Sequence, residues 1–290
     1  MLEHFVSMEG GADSAEAYRK LKQLFAPFVL RRKKEDVLQL LPPKNRHVEL
    51  VPMDAPTRCK YESILSSHIK ARASKNDAAA QKHLFTALRK AANHPLLLRT
   101  RFTEEIERDE LARLAQRYGL FGNDESLTLQ LVRGELEGYS DFEVHCAALD
   151  MIADNPSKDR KKYLEKYTLK VDDLFSSPKF VRLQKLLPEL IGKGHRILIF
   201  SQWTKVLDLL GLLLDNLSMK YSRLDGSTQV SDRQGMIDHF TKDATIPIFL
   251  LSTRAGGMGL NLVAADVCIL HDLDFNVSET GVCIAPLPLS

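Results

Sequence analysis

The sequence has few of the features that commit a chain to a familiar chemistry. Its four cysteines, Cys59, Cys146, Cys268 and Cys283, show no C-x-x-C spacing, so neither a metal knuckle nor a disulfide framework is indicated. Cys268 sits inside an apolar strand pattern and reads as a buried, reduced thiol. No apolar run reaches the ~20 residues of a membrane span, and no leader pattern opens the sequence. The expectation is an intracellular, reducing compartment without a membrane partner. No G-x-G-x-x-G follows a strand pattern, which makes a dinucleotide-dependent oxidoreductase a poor reading. The only Gly-Lys pair, Gly192-Lys193, runs into Gly194 and His195, so no Walker A loop is present. No strand pattern ends in the paired acids that hold magnesium beside a nucleotide. These 290 residues therefore carry an incomplete NTPase apparatus.

With 44% hydrophobic residues the chain can bury one substantial core or two modest ones. A net charge of +2 conceals local asymmetry: "RRKKEDVLQLLPPKNR" is basic and "TEEIERDE" acidic, and such runs usually form solvated helix faces. Residues 1–100 read as mostly helical. "AEAYRKLKQLFAPFVLRR" is amphipathic up to Pro27, and "LPPKNRHVELVPM" is extended, with Val48, Leu50 and Val51 favouring strand. A long helix starts near Asp54, whose side chain suits a cap. A second helix sets Leu84, Leu88 and Ala91 on one face and stops before Pro95, with His94 as its terminus. Residues 101–176 are charged and helix-prone, with little strand signal, and read as an insertion or linker.

From residue 177 the pattern alternates. "SPKFVRLQKLLPELIGKG", "QWTKVLDLLGLLLDN" and "TQVSDRQGMIDHFTKD" have helical periodicity. "RILIFS", "KYSRLDG", "IPIFLLS" and "DVCILHD" read as strands, two of them continuously apolar, as in a sheet covered on both faces. Strands separated by such helices predict a parallel α/β sheet, whose ligands meet the loops at the strands' carboxyl ends. "SQW", "RLDGST" and "STRAGGMG" all fall there. In the last, Gly256, Gly257 and Gly259 let phosphate, sugar or backbone approach closely, while Ser252 and Thr253 offer hydroxyls. A tight turn between strand and helix fits the same glycines. Trp203 fits a base-stacking role or plain packing, Asp225 a turn bond, and "HDLD" either metal ligands (His271, Asp272, Asp274) or a polar strand end.

"FVLRRKKEDV", "LRKAANHPLLL", "RILIFSQWTKVLDLL", "YSRLDGSTQ" and "FLLSTRAGGMGLNLVAADVCILHD" stand in the order found in SWI/SNF-type helicase-like ATPases. These are the DNA-translocating motors of chromatin remodelling, in helicase superfamily two, and the resemblance covers roughly residues 25 to 276. "SDFEVHCAAL" and "ILHDLDFN" are similar to the SMARCAD subfamily. The resemblance implies an incomplete RecA-like C-terminal lobe over 177–276. Residues 1–100 would end the first lobe and form the helical protrusion, 101–176 would be a charged helical insertion, and 277–290 a divergent tail. It implies DNA contacts by Ser201, Gln202, Arg223, Asp225, Gly226, Ser227, Thr228, Ser252, Thr253 and Arg254. It places Gly256, Gly257, Gly259 and Asn261 at an ATP cleft. Double-stranded DNA or a nucleosome, chromatin-associated proteins and a nuclear location follow from the same source.

The sequence also departs from the family pattern. It lacks the first lobe's phosphate loop and magnesium-binding acids. After "DLDFN" it reads "VSETGVCIAPLPLS", without the arginines that stabilise charge on the transferring phosphate, a contribution of several kcal/mol in related NTPases. The chain thus reads as a fragment truncated at both ends, with no catalytic residue of its own. ATP and Mg2+ would belong to the complete parent protein, with neither bound tightly here. The alternative is a non-enzymatic short form that binds DNA or a partner and competes with the full-length remodeller. Either way, the purified chain is expected to show no DNA-stimulated ATP hydrolysis; a turnover abolished by a substitution within it would overturn this.

Overall fold

A computed structural model describes residues 11–29, 45–72, 78–122, 126–154, 157–256 and 262–273. They divide into two compact units, one ending at Asn45 and one beginning at Arg46. In the first, helix α1 (Gly11–Phe25) stops two residues before Pro27, and Tyr18, Leu24 and Phe25 are exposed.

The second unit begins with residues 46–54, which form no strand, contrary to the β-propensity of Val48, Leu50 and Val51. Propensity alone does not make a strand without a neighbouring ladder, and Val48 and Leu50 point outward. Helix α2 (Ala55–Arg72) starts where expected: Asp54 Oδ1 accepts from Thr57 N at 3.0 Å. Helix α3 (Ala78–Asn93) follows, with Leu88 and Ala91 buried and Leu84 half-buried. His94 then caps a 3-10 turn over Pro95–Leu97 by accepting from Leu96 N.

Residues 101–176 carry a core of their own. Helices α4 (Glu105–Arg117), α5 (Leu129–Glu137), α6 (Asp141–Asp154), α7 (Lys158–Leu164) and the short α8 (Val171–Leu174) supply most of it. Leu111, Leu114, Val132, Leu136, Val144, Ala148, Met151 and Tyr167 pack together there. Helix α6 opens on a capping box: Glu143 N donates to Ser140 Oγ, and Ser140 N donates back to Glu143 Oε2 at 2.9 Å.

The sheet follows. Helix α9 (Pro178–Gly192) leads into β1 (Ile197–Ser201), α10 (Thr204–Asn216), β2 (Tyr221–Leu224), α11 (Val230–Lys242), β3 (Ile248–Ser252), the one-turn α12 (Thr253–Gly256) and β4 (Val267–Leu270). All pairings are parallel, in the order β2-β3-β1-β4. Alternate residues feed opposite layers. Ile197, Ile199, Ile248 and Leu250 pack under α9 and α10, whereas Leu198, Phe200, Phe249 and Leu251 pack with Ile237 and Phe240 of α11. The crossover β1-α10-β2 runs one way along the sheet and β2-α11-β3 runs back. With a single handedness, the two helices must then lie on opposite faces, as they do.

One expectation fails here. Cys268 is exposed, not buried, because β4 is an edge strand of the described sheet while β1 and β3 are covered throughout.

Gly211 explains how closely α10 meets β2: a Cβ there would stand 2.8 Å from Tyr221 Oη and 3.4 Å from its Cζ. Alanine is the better helix former by about 1 kcal/mol, but overpacking costs about 1–3 kcal/mol. Gly211→Ala should therefore raise the urea midpoint less in the wild type than in a Tyr221→Ala background. An equal effect in the two backgrounds would contradict the packing.

Candidate functional site

The carboxyl ends of the four strands share one edge. Ser201 of β1 and Ser252 of β3 are register partners at the last rung of the ladder. Ser252 Oγ accepts from Ala255 N at 3.2 Å and so starts α12, and Thr253 beside it is 2% exposed. Arg254, the next residue, is exposed.

A buried carboxylate organises the neighbouring loops. Asp272, 6% exposed, accepts from Ser201 Oγ at 2.5 Å and from Gln202 N at 2.9 Å. Burial pushes its pKa up, against the opposing pull of Ser201, Gln202, Lys179 and Arg89. Lys179 of α9 donates to His271 O at 2.8 Å and to Asn93 Oδ1 at 2.6 Å. Burial lowers the Lys179 pKa. Arg89 of α3 donates to Gln202 Oε1 and to Leu273 O, both at 2.7 Å.

Behind this edge, Phe180 stands edge-on between two imidazoles, 4.9 Å from His94 and 5.7 Å from His271. Burial lowers His94 to about 4 and His271 to about 3. His94 Nε2 lies 2.9 Å from Leu174 O, which fixes that nitrogen as the donor because Nδ1 already accepts from Leu96 N.

The turn after β2 is built around Asp225. Its Oδ1 accepts from Ser227 N at 2.9 Å and Ser227 Oγ at 2.6 Å, while Oδ2 accepts from Arg223 at 2.7 Å. Arg223 also reaches Asp208 Oδ1 at 2.6 Å. Burial works to raise the Asp225 pKa, but Ser227 and Arg223 overbalance it and hold it low. Gly226 and Ser227 are exposed, and Thr228 is half-buried.

The residues suggested by sequence thus divide in three. Ser201, Gln202, Ser252, Thr253 and Arg254 meet at the β1–β3 end, and Gly226, Ser227 and Thr228 form the turn after β2. Arg223 and Asp225 pair with each other, and Arg223 also pairs with Asp208, which shapes that turn. Gly257, Gly259 and Asn261 lie outside the described residues, as does Asp274, and Gly256 closes α12. Trp203 packs at the start of α10, with Arg89 and Lys90 6.0 and 5.7 Å from its ring centroid. Among the described residues no three His, Cys, Asp or Glu side chains gather as metal ligands, and both Asp272 oxygens are occupied by loop donors. Sequence reasoning missed Arg89 and Lys179. They stand 113 residues before Gln202 and 92 before His271, and nothing in the pattern links such distant positions.

Two family models match the chain: the SNF2-related domain over residues 3–97 and the helicase conserved C-terminal domain over residues 178–282. Protein CHROMATIN REMODELING 19 of Arabidopsis thaliana is 39% identical over 280 residues, covering 91% of this chain and 35% of its own. The ATP-dependent helicase FUN30 of Saccharomyces cerevisiae is 37% identical over 278 residues, covering 90% of this chain and 23% of its own. The chain thus spans about a third or less of the length of these curated relatives. A crystal structure of the C-terminal part of the Fun30 ATPase domain superposes with a TM-score of 0.69 at 32% identity, covering 84% of this chain and 79% of that one. The SWI2/SNF2 ATPase core of Sulfolobus solfataricus (TM-score 0.52, 18% identity, 94% of this chain and 43% of that one) shares the fold.

The buried imidazoles make stability depend on pH. Unfolded histidine titrates near 6.5, whereas His94 and His271 stay neutral in the native state down to about 4 and about 3. Between those values the unfolded chain binds more protons, so stability falls as pH falls, by up to about 1.4 kcal/mol per pH unit for each imidazole. Urea midpoints should drop steadily from pH 6.5 to 5, and less in His94→Gln or His271→Gln. A wild-type slope no steeper than that of either variant would contradict native burial in the neutral form.

Proposed function

The chain belongs to the SWI/SNF-type, helicase-like ATPase family, among relatives of the Fun30 kind, and from that premise we propose that it supplies one lobe of an ATP-dependent DNA translocase of chromatin remodelling. In this reading residues 177–276 are the C-terminal RecA-like lobe, 101–176 a helical insertion, and 1–100 the end of the preceding lobe with its protrusion. The strand-end loops follow the phosphates of duplex DNA in the nucleosome, and the glycine segment after β3 borders ATP and its Mg2+ when the whole motor is assembled in the nucleus.

The observation that carries the reading is the convergence of Ser201–Gln202, Gly226–Thr228 and Ser252–Arg254 on one edge of a parallel sheet. The exposed Arg254 guanidinium and the exposed backbone of Gly226 and Ser227 are donors suited to phosphate oxygens, which every sequence offers alike, while buried Ser201 and Ser252 hold the loops in place. Nothing in this group resembles a base-reading element entering a groove, so affinity should be independent of sequence and steep in salt.

Fluorescence anisotropy with duplexes of unrelated sequence tests this. The chain should bind them equally, with log Kd rising linearly in log salt. Arg254→Ala should weaken all of them alike and lower the salt slope by about one. Failure to bind duplex DNA at low salt would overturn the reading.

A further inference from the structure

The helical insertion has a hollow of its own, away from the strand ends. Arg108 and Leu111 share one face of α4 at i, i+3, and Arg133 and Leu136 do the same on α5. With Arg99 and Thr103, from the segment before α4, they line a cavity of about 310 Å³. Two of the three guanidiniums on it have no carboxylate partner. Arg99 donates only to main-chain carbonyls, Phe102 O at 3.2 Å and Tyr139 O at 3.4 Å. Arg108 is half-buried, and among the described residues its side chain makes no hydrogen bond and no ion pair.

The neighbouring acids are already engaged. Arg133 takes Asp109 Oδ1 at 2.6 Å and Glu105 Oε1 at 3.2 Å. Glu137, the acid lining the cavity, lies 3.8 Å from Arg133 Nε. Asp141 is occupied by Thr100 and Arg101. Burial lowers the Arg99 pKa, Asp141 opposes that, and Arg108 adds to the lowering. Charges drawn out of water are normally paired, and two like charges on one cavity repel until an anion joins them.

We propose that this cavity binds a phosphate group, free or carried on a small stem, between Arg99 and Arg108. The planar guanidinium fork matches an oxyanion's geometry. Thr103 Oγ1, which has no hydrogen-bond partner among the described residues, supplies a further donor, and Leu111 and Leu136 give a stem an apolar wall. At about 30 Å³ per water, the space equals roughly ten waters and sits at the small end of ligand pockets. That suits a phosphate monoester and excludes a duplex, so the inference does not depend on the DNA reading.

The full 290-residue chain carries the test, by thermal melts in phosphate against chloride at matched ionic strength and by broadening of the phosphorus NMR line of inorganic phosphate. Phosphate should stabilise the chain with half-saturation near ~1 mM. Arg108→Gln should weaken that binding about tenfold or more, and Arg108→Lys should recover part of it. In chloride, Arg108→Gln should melt no lower than wild type, since it loses no contact. Its affinity for duplex DNA should not change, and Arg254→Ala should keep the phosphate response. A phosphoserine peptide that binds more tightly than the free ion would identify a modified protein as the source; the reverse order would identify the free anion. Equal melting in the two salts without line broadening, or an unchanged phosphate affinity in Arg108→Gln, would overturn the inference. So would an Arg108→Gln variant that melts well below wild type in chloride or loses duplex affinity. None of the phosphate results bears on the DNA reading, which the duplex titration alone decides.

Discussion

A carboxylate removed from water must find enough donors to replace its hydration, and Asp272 imposes that requirement at the point where four strands end. Its oxygens take Ser201 Oγ and Gln202 N, which forces the chain to turn directly after β1. Its charge is balanced by two cations that come from outside the sheet, Lys179 on α9 and Arg89 on α3. Each of these is held by a second contact, Lys179 to Asn93 and His271 O, and Arg89 to Gln202 and Leu273 O. One buried charge therefore fixes the relative positions of α3, α9, β1 and β4. Removing Asp272 would release the donors of the loop and leave two buried or half-buried cations facing each other.

The turn after β2 meets its need differently. Asp225 and Arg223 pair internally and Asp208 completes the guanidinium's partners, so the turn keeps its shape without outside help. What it presents to solvent is a short run of backbone and hydroxyl at Gly226–Thr228. Arg223, beside the proposed phosphate track, pairs with two carboxylates within hydrogen-bond distance, which fixes where its guanidinium sits. The charge left for a phosphate chain on this edge lies with residues such as Arg254, which is exposed.

The strands and helices of residues 177–273 were legible because their signals are local. Continuous apolar runs gave β1 and β3, and period-3.6 faces gave α9 and α10. The Asp54 cap and the end of α3 before Pro95 were equally local. Readings failed where the deciding partner lay far along the chain. Cys268 carries an apolar pattern but sits on an edge strand, and strand order is not a local property. Val48 and Leu50 have strand propensity but no adjacent ladder. Arg89 and Lys179 look like ordinary helix-surface cations in sequence, and only the closure of the fold brings them to Gln202 and His271. The charge density of residues 101–176 hid a core, because its apolar positions are spread over several short helices.

That core is not independent of the sheet, and α6 shows why. Val144, Ala148 and Met151 of this helix enter the helical core, while Phe142 enters the layer under α9 and α10. Between them Asp141, fully buried, accepts from Thr100 N, Thr100 Oγ1 and Arg101 N at 2.7–3.1 Å. Moving the insertion as a body away from the sheet would withdraw Phe142, which costs about 1.5–3 kcal/mol in apolar burial alone. It would also withdraw Leu169, Leu174 and Phe175, which belong to the same layer. Residues 101–176 therefore share one apolar layer with the sheet, and separating the two exposes it.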